Sequence, residues 1–340
     1  MSKRLKVGVI GLGVGRGHAK AYHEMEGAEL VALADQDLAW AEQTAAAMEN
    51  PRVYPTPEAL LADSDVEAVS ICLPTRFHCE ATLAALEAGK HVLVEKPMAS
   101  NLAEAERMRE AARASGKTLA VSHNQRFTPQ ARFLERFIRE GGLGQVYFCR
   151  TLWRRPMGSL PAPQQERPTG AYDRNWFNEW SRGGGVLRDL GTHMIDRALY
   201  VLGFPRFLSA SGGSYGLVGE AARGARFDAD DFTAGLVQLE NMTLAVEVSF
   251  GMHTDRERVA TEIYGTRGGV EWESGVRLFT QVGTAYGQSE LARFEEAVES
   301  SQQNFVEAVL AGRPPLVTAD QGVEVMRVID AIYRSAGREP

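Results

Sequence analysis

Three residues in this chain have the type and spacing to handle a proton and a developing oxyanion. Lys96 follows Val92, Leu93 and Val94 in HVLVEKPMA (91–99), so a strand heading for a core ends on Glu95, Lys96 and Pro97. A lysine held at a strand end can hydrogen-bond a substrate oxygen and stabilise charge that develops on it. Taken alone, the same tripeptide is equally a surface turn. Asp189 and His193 stand four apart in GGGVLRDLGTHMIDRALYVLG (183–203), which on a helix puts them on one face. A carboxylate beside an imidazole orients it or stabilises its charged form, which suits a general base for an alcohol proton. Two rival readings stand beside this one. Asp189, His193 and Asp196 could ligate a metal, although the sequence offers no further cluster to complete a shell, and none is predicted. They could also form an ordinary ion pair on a helix face.

A second constellation is GLGVGRGH (11–18), set between the apolar run KVGVIG (6–11) and a helical pattern over 15–25. Glycines there let the chain turn tightly and let a pyrophosphate approach backbone N–H groups at a helix N-terminus. Gly11, Leu12 and Gly13 match the start of G-x-G-x-x-G, but position 16 is Arg16, with Gly15 and Gly17 on either side. The run LVALAD (30–35) ends on Asp35, 24 residues after Gly11. An acid at that place accepts hydrogen bonds from adenosine ribose hydroxyls and repels a 2′-phosphate. NAD is therefore favoured over NADP, with Arg16 as the complication. The plain alternative is a βαβ turn with a surface aspartate.

The elements that must position these residues alternate through the first third. Strands are expected at 66–74, 91–95 and 118–122, with helices at 78–89 and 101–115 and a helix start at Thr56-Pro57-Glu58. Such alternation predicts a doubly wound parallel sheet covered on both faces, in an α/β fold. Ligands bind outside the carboxyl ends of such strands, so Pro74, Thr75, Glu95 and Lys96 should lie along the nicotinamide end of a cleft. Further on the period changes to two. In TLAVEVSFGM (243–252), Leu244, Val246, Val248, Phe250 and Met252 share one face, as in an antiparallel strand packed on one side. With DFTAGLVQLE (231–240) before it and RVATEIYG (258–265) after, a meander is expected. Residues 156–183 read as a long loop rich in Pro, Gly and aromatics, and helices near 302–311 and 318–337 close the chain. Tyr172, Trp176 and Trp180 in or beside that loop are either loop-core aromatics or rings on which a sugar could stack.

The chain of 340 residues exceeds what one core serves, so two domains are expected, 1–123 and 124–340. A net charge of −7 argues against nucleic acid or an anionic membrane surface as partner. No apolar run approaches the ~20 residues of a membrane helix. MSKRLKVGVIG shows no cleavable signal pattern. The three cysteines, Cys72, Cys79 and Cys149, have no CxxC spacing. These features predict a cytoplasmic protein with free thiols.

The motifs GLG (11–13), ICLPTRFH (71–78), EAGKHVLVEKPMA (87–99), NQRF (124–127) and GGGVLRDLGTHMID (183–196) occur in an order that resembles the Gfo/Idh/MocA oxidoreductases over nearly the whole chain. The resemblance implies an N-terminal Rossmann domain and a C-terminal α/β domain with an open-faced, largely antiparallel sheet. It implies a homodimer or homotetramer, commonly through that face. It implies Lys96, Asp189 and His193 as the catalytic set, with His193 taking the hydroxyl proton, Lys96 polarising the oxygen and Asp189 holding substrate or tuning the pair. Thr75, His78, Glu95 and Asn124 match positions that tend to line the cofactor. Two departures stand out: the glycine loop is one residue tighter than usual, and Phe177 replaces an Arg common after the Trp. The expectation is an NAD-dependent oxidoreductase acting on a secondary hydroxyl of a sugar, cyclitol or derivative. Alternatives are a non-sugar substrate, such as a dihydrodiol or imine, and a non-catalytic NAD-sensing regulator of the same fold. The remaining histidines, His18, His23, His91, His123 and His253, are read as structural or surface residues.

Overall fold

The structure, a computed structural model, describes residues 3–157, 177–219, 227–296 and 299–339. It divides into two compact units. One holds residues 3–123 together with 299–323, and the other holds 124–157, 177–219, 227–296 and 324–339. A division at 123/124 does not describe the return of 299–323 to the first unit.

The first unit runs β1 (Leu5–Ile10), α1 (Gly15–Glu24), β2 (Ala28–Ala34), α2 (Leu38–Ala46), β3 (Arg52–Tyr54), α3 (Pro57–Leu61), β4 (Ala68–Ile71), α4 (His78–Glu87), β5 (His91–Val94), α5 (Leu102–Ser115) and β6 (Leu119–Val121). Its six strands are all parallel, in the order β3-β2-β1-β4-β5-β6. The apolar runs become central strands because helices cover both faces; Val7, Val9, Val69, Leu93 and Val94 have no exposed surface. Helix starts are written into the chain. Asp37, Thr56 and Asn101 each cap a helix with a side-chain oxygen, and Pro57 follows Thr56 at the first helical position. The strand order reverses direction between β1 and β4, the switch point where α/β sheets of this kind open a crevice. Helix α8 (Ser301–Ala311) returns to this unit because Phe305 and Val306 belong to the same apolar cluster as Val7, Val9 and Tyr22.

The second unit contains α6 (Pro129–Arg139), β7 (Val146–Pro156), α7 (Thr192–Val201), β8 (Phe207–Tyr215), β9 (Phe232–Leu239), β10 (Met242–Met252), β11 (Arg258–Gly265), β12 (Gly268–Trp272), β13 (Val276–Val282) and β14 (Ala285–Leu291). Helix α9 (Ala319–Ser335) runs through the 323/324 division. The eight strands are ordered β14-β13-β12-β11-β7-β10-β9-β8. The expected alternation in β10 is present, with Leu244, Val246, Val248 and Phe250 buried. The expected meander is not. β7 inserts between β10 and β11, antiparallel to β11 and parallel to β10. The sequence hid β7 because its outer positions carry Arg150 and Arg154, which pair with Glu262 and Glu247 on the same open face. The covered face packs under α9, where a Cβ on Gly235 would lie 3.0 Å from Ile332.

Candidate active site

In the first unit, the loop from Gly11 to Gly15 joins β1 to α1, and its geometry accounts for the shortened glycine pattern. Gly11 has φ +86°, and a Cβ there would sit 2.8 Å from the Cys72 carbonyl oxygen. Gly15 opens α1, where a Cβ would lie 2.9 Å from Val9 and 3.1 Å from Cys72 Cβ. The close helix–strand packing assigned to the third glycine of a dinucleotide loop therefore falls on Gly15. Gly17, by contrast, has open space around it. Gly13 is exposed at the tip of the loop.

Asp35 follows β2 and is fixed to this loop. Its Oδ2 accepts from the Leu12 amide at 2.7 Å, and its Oδ1 accepts from the Asp37 amide at 3.0 Å. The Leu12 N–H is thus spent on Asp35, and the buried Leu12 side chain belongs to the core. Each carboxylate oxygen keeps a second lone pair that a ribose hydroxyl could donate to. Trp40 donates from Nε1 to the Leu12 carbonyl (3.2 Å), and the Arg16 guanidinium lies 4.4 Å over the Trp40 ring.

After β4, Pro74 precedes the short turn Thr75–Phe77. Thr75 is 1% exposed, and its hydroxyl has no hydrogen-bond partner among the described residues. A buried orphan hydroxyl at a strand's carboxyl end, beside a glycine loop and an anchored acid, fits a dinucleotide. His78, at the start of α4, points both ring nitrogens at backbone carbonyls: Nδ1 lies 2.8 Å from the Pro97 oxygen and Nε2 2.8 Å from the Leu73 oxygen. Burial holds its pKa below the usual value despite those two acceptors. His78 therefore braces the backbone.

Beyond β5, the Lys96–Pro97 bond is cis. Lys96 is half-buried, and Glu95 turns inward. The Glu95 carboxylate meets His18 Nε2 at 2.9 Å, with side chains 14% and 5% exposed. Burial opposes charge on Glu95, but His18 and Ser122 outweigh it and hold the carboxyl at about 2. Burial likewise opposes charge on His18, yet Cys72 and Glu95 lift it to about 10. His18 is thus a structural residue, as the sequence suggested, and its partners are Glu95 and Ser70.

In the second unit, Asn124 is exposed at the start of the helical turn Asn124–Phe127. Two residues on, Arg126 is fully buried and bonds Asp196 through Nε and Nη2, at 3.0 and 2.6 Å. Asp196 is committed to that pair, which removes it from the metal reading, and no three His, Cys, Asp or Glu among the described residues are grouped to hold a metal.

The segment 183–203 is not one α-helix. Leu187–Gly191 forms a π-helical turn that contains Asp189, and α7 begins after it at Thr192. Single π turns are uncommon and often accompany functional sites. From 183 to 201 every residue is buried except Asp189 and His193, which are half-exposed. The His193 ring lies 5.8 Å from the Trp153 ring. Trp153, on β7, donates its indole N–H to Glu257 at 2.6 Å. Nothing in the local pattern of β7 singled it out. Trp180, half-buried, packs edge-on against Tyr333 at 4.9 Å and under the Arg188 guanidinium at 4.1 Å. Tyr172 and Trp176 lie outside the described residues.

Two family models match in tandem. Residues 5–123 match the oxidoreductase family's NAD-binding Rossmann fold, and 136–339 match its C-terminal alpha/beta domain. The chain belongs to the Gfo/Idh/MocA oxidoreductase family. The D-glucoside 3-dehydrogenase of Escherichia coli K12 is 31% identical to it, over 98% of this chain and 96% of that protein. The myo-inositol 2-dehydrogenase of Thermotoga maritima is 27% identical over 94% and 92%. The crystal structure of GenD2 from gentamicin A biosynthesis, in complex with NAD, superimposes with a TM-score of 0.80 at 27% identity, over 99% and 95% of the chains. As a Gfo/Idh/MocA protein the chain thus combines an NAD-binding fold with a second unit whose buried helix offers two ionisable side chains.

Proposed function

We propose that the protein is an NAD-dependent dehydrogenase that oxidises a secondary hydroxyl of a sugar, cyclitol or related polyol. The carrying observation is the pair Asp189 and His193, the two accessible residues in an otherwise buried run from 183 to 201. Burial this complete leaves an imidazole and a carboxylate as the chemistry that segment offers a ligand. The relatives named for D-glucoside and myo-inositol support a polyhydroxylated substrate.

Bound NAD supplies the hydride acceptor. The Gly11–Gly15 loop and the start of α1 would hold the pyrophosphate and Asp35 the adenosine ribose, with Pro74, Thr75 and Asn124 along the rest of the cofactor; the sequence also suggested His78 and Glu95 for that lining, but they turn inward, onto backbone carbonyls and onto His18. His193 accepts the hydroxyl proton as the carbinol C–H leaves with its electron pair, giving a ketone and a protonated imidazole. The Lys96 ammonium hydrogen-bonds the same oxygen and stabilises its alkoxide character. Asp189 orients substrate or steadies the charged His193. NAD is preferred to NADP because Asp35 is tied by two amides and cannot swing away from a 2′-phosphate. The assembly is a homodimer or homotetramer through the open face of the second unit's sheet.

The test is NADH formation with alkyl D-glucosides, myo-inositol and free aldoses. Turnover with at least one is expected, and with NAD above NADP. Firm NAD binding without turnover on any of them would sink the dehydrogenase reading.

A further inference from the structure

Lys96 stands in a turn that is fastened on both sides. At the end of β5 the Glu95 amide donates to the Ile71 carbonyl at 2.9 Å, and the Glu95 side chain reaches His18 Nε2 at 2.9 Å. His18 is itself held: Nδ1 lies 3.1 Å from Ser70 Oγ, which is 2.8 Å from the Tyr22 hydroxyl. Ser122 also hydrogen-bonds Glu95, and Ser122 Oγ is 3.2 Å from Ser301 Oγ on α8. One residue past Lys96, the Pro97 carbonyl meets His78 Nδ1 at 2.8 Å. His18 and His78 are 4% and 1% exposed. A carboxylate this deep persists only where a partner replaces its lost hydration, and a buried carbonyl likewise needs its donor.

We propose that His18 and His78 are positioning residues that aim Lys96, His18 by anchoring Glu95 and His78 by anchoring the carbonyl of Pro97. The proposal deepens the dehydrogenase reading and rests on Lys96 touching the substrate oxygen. The residues before and after Lys96 are thus tied to α1 and α4. Near-attack geometry is sensitive to small displacements: a misplacement of about 1 Å can cost about 100-fold in rate. The two histidines come from different helices, separated by β2 through β4 in sequence, yet both converge on one tripeptide. A fold needing only a stable strand end would be served by the Glu95 amide bond alone.

The experiment compares leucine with a hydrogen-bonding substitute at each histidine. His18→Gln keeps a donor near Nε2 and His78→Asn keeps one near Nδ1; His18→Leu and His78→Leu keep neither. With an alkyl D-glucoside or myo-inositol as probe, the leucine variants should lose about 30- to 100-fold in kcat while KM for NAD changes less than about threefold. The Gln and Asn variants should recover kcat to within about tenfold of the parent protein. Folded leucine variants with parental kcat overturn the clamp. So does an equal loss in the leucine and hydrogen-bonding variants, which would assign the histidines to general stability. Amide hydrogen exchange over residues 95–98 in the NAD-loaded protein gives a reading that needs no turnover. It should quicken in the leucine variants and stay slow in the substitutes; exchange unchanged in all four overturns the proposal. Where a leucine variant does not fold, Glu95→Gln weakens the same anchor and should both lower kcat and quicken that exchange; neither change would overturn the His18 arm. Lys96→Ala separates the two levels. Normal turnover in that variant removes the catalytic role of Lys96 and leaves the clamp to be judged by exchange alone.

Discussion

On the proposed mechanism the Lys96 ammonium and the His193 imidazole handle the reacting oxygen, so Lys96→Ala and His193→Ala should each lower kcat by about 100- to 10,000-fold. NAD affinity, followed by the quenching of protein fluorescence, should stay near that of the parent protein; a variant that keeps its rate takes that residue out of the chemistry. Asp35 makes a separate demand. Its carboxylate is oriented by the Leu12 and Asp37 amides, so Asp35→Ser should raise the NADP-to-NAD ratio of kcat/KM by about tenfold or more. An unchanged ratio would move the selectivity elsewhere, with Arg16 the first candidate. Lys96, Asp189 and His193 were visible in the sequence because each belongs to a local pattern, a strand end or a spacing of four. His18 and Trp153 were not. Their partners Glu95 and Glu257 lie 77 and 104 residues away, and no window of sequence shows such a pair.

Elements position these side chains through a few close approaches. Gly11→Ala would put a Cβ against the Cys72 carbonyl at a positive φ. The variant should lose about 1–3 kcal/mol of stability and raise KM for NAD, measured by urea unfolding and initial rates; parental values in both would show that the loop can shift. Arg126 and Asp196 tie the Asn124–Phe127 turn to α7 by a fully buried ion pair. Arg126→Met leaves Asp196 uncompensated and should cost about 3–5 kcal/mol. Adding Asp196→Leu should restore most of it, and a double variant no better than the single would deny the coupling. The alternation of the first unit was legible because strand, helix and cap signals are adjacent in the chain. β7 was not, since charge on its open face breaks the apolar alternation and its neighbours in the sheet come from 242–252 and 258–265.

At the scale of the whole molecule, the His18–Glu95 pair makes stability depend on pH. His18 rises from 6.5 to about 10, so what it contributes is complete below pH 6.5 and drains away as pH climbs through about 10. Glu95 falls from 4.5 to about 2, so its part is complete above pH 4.5 and is lost as pH drops through about 2. The pair is worth most between those limits. Lys96, His78, Tyr22 and Cys72 face it, with Ser70 and Ser122; burial raises the pKa of both Tyr22 and Cys72. Urea unfolding at pH about 5.5 and about 9 should show a larger loss in the parent protein than in His18→Gln; equal losses would rule the pair out as the source. Assembly offers another global test. Leu236 is 54% exposed on the sheet's open face, so Leu236→Glu should dissociate a homodimer or homotetramer in sedimentation, and an unaltered sedimentation coefficient would place the interface elsewhere.

The insertion of β7 also sets an order of events on the ribosome. β7 ends at Pro156, but one of its two sheet neighbours, β10, begins at Met242 and the other, β11, at Arg258. A nascent chain therefore carries an unpaired strand of eleven residues while the following segment, through β8 and β9, is being made. Parallel pairing across so long a gap is slow, because the loop must close before contacts repay it. The first unit's sheet, with strands that pair within its own opening stretch, can form well before then. Arg150, Arg154 and Arg155 give this strand three positive charges along its length. Their like charges discourage one waiting strand from pairing with another on a neighbouring chain.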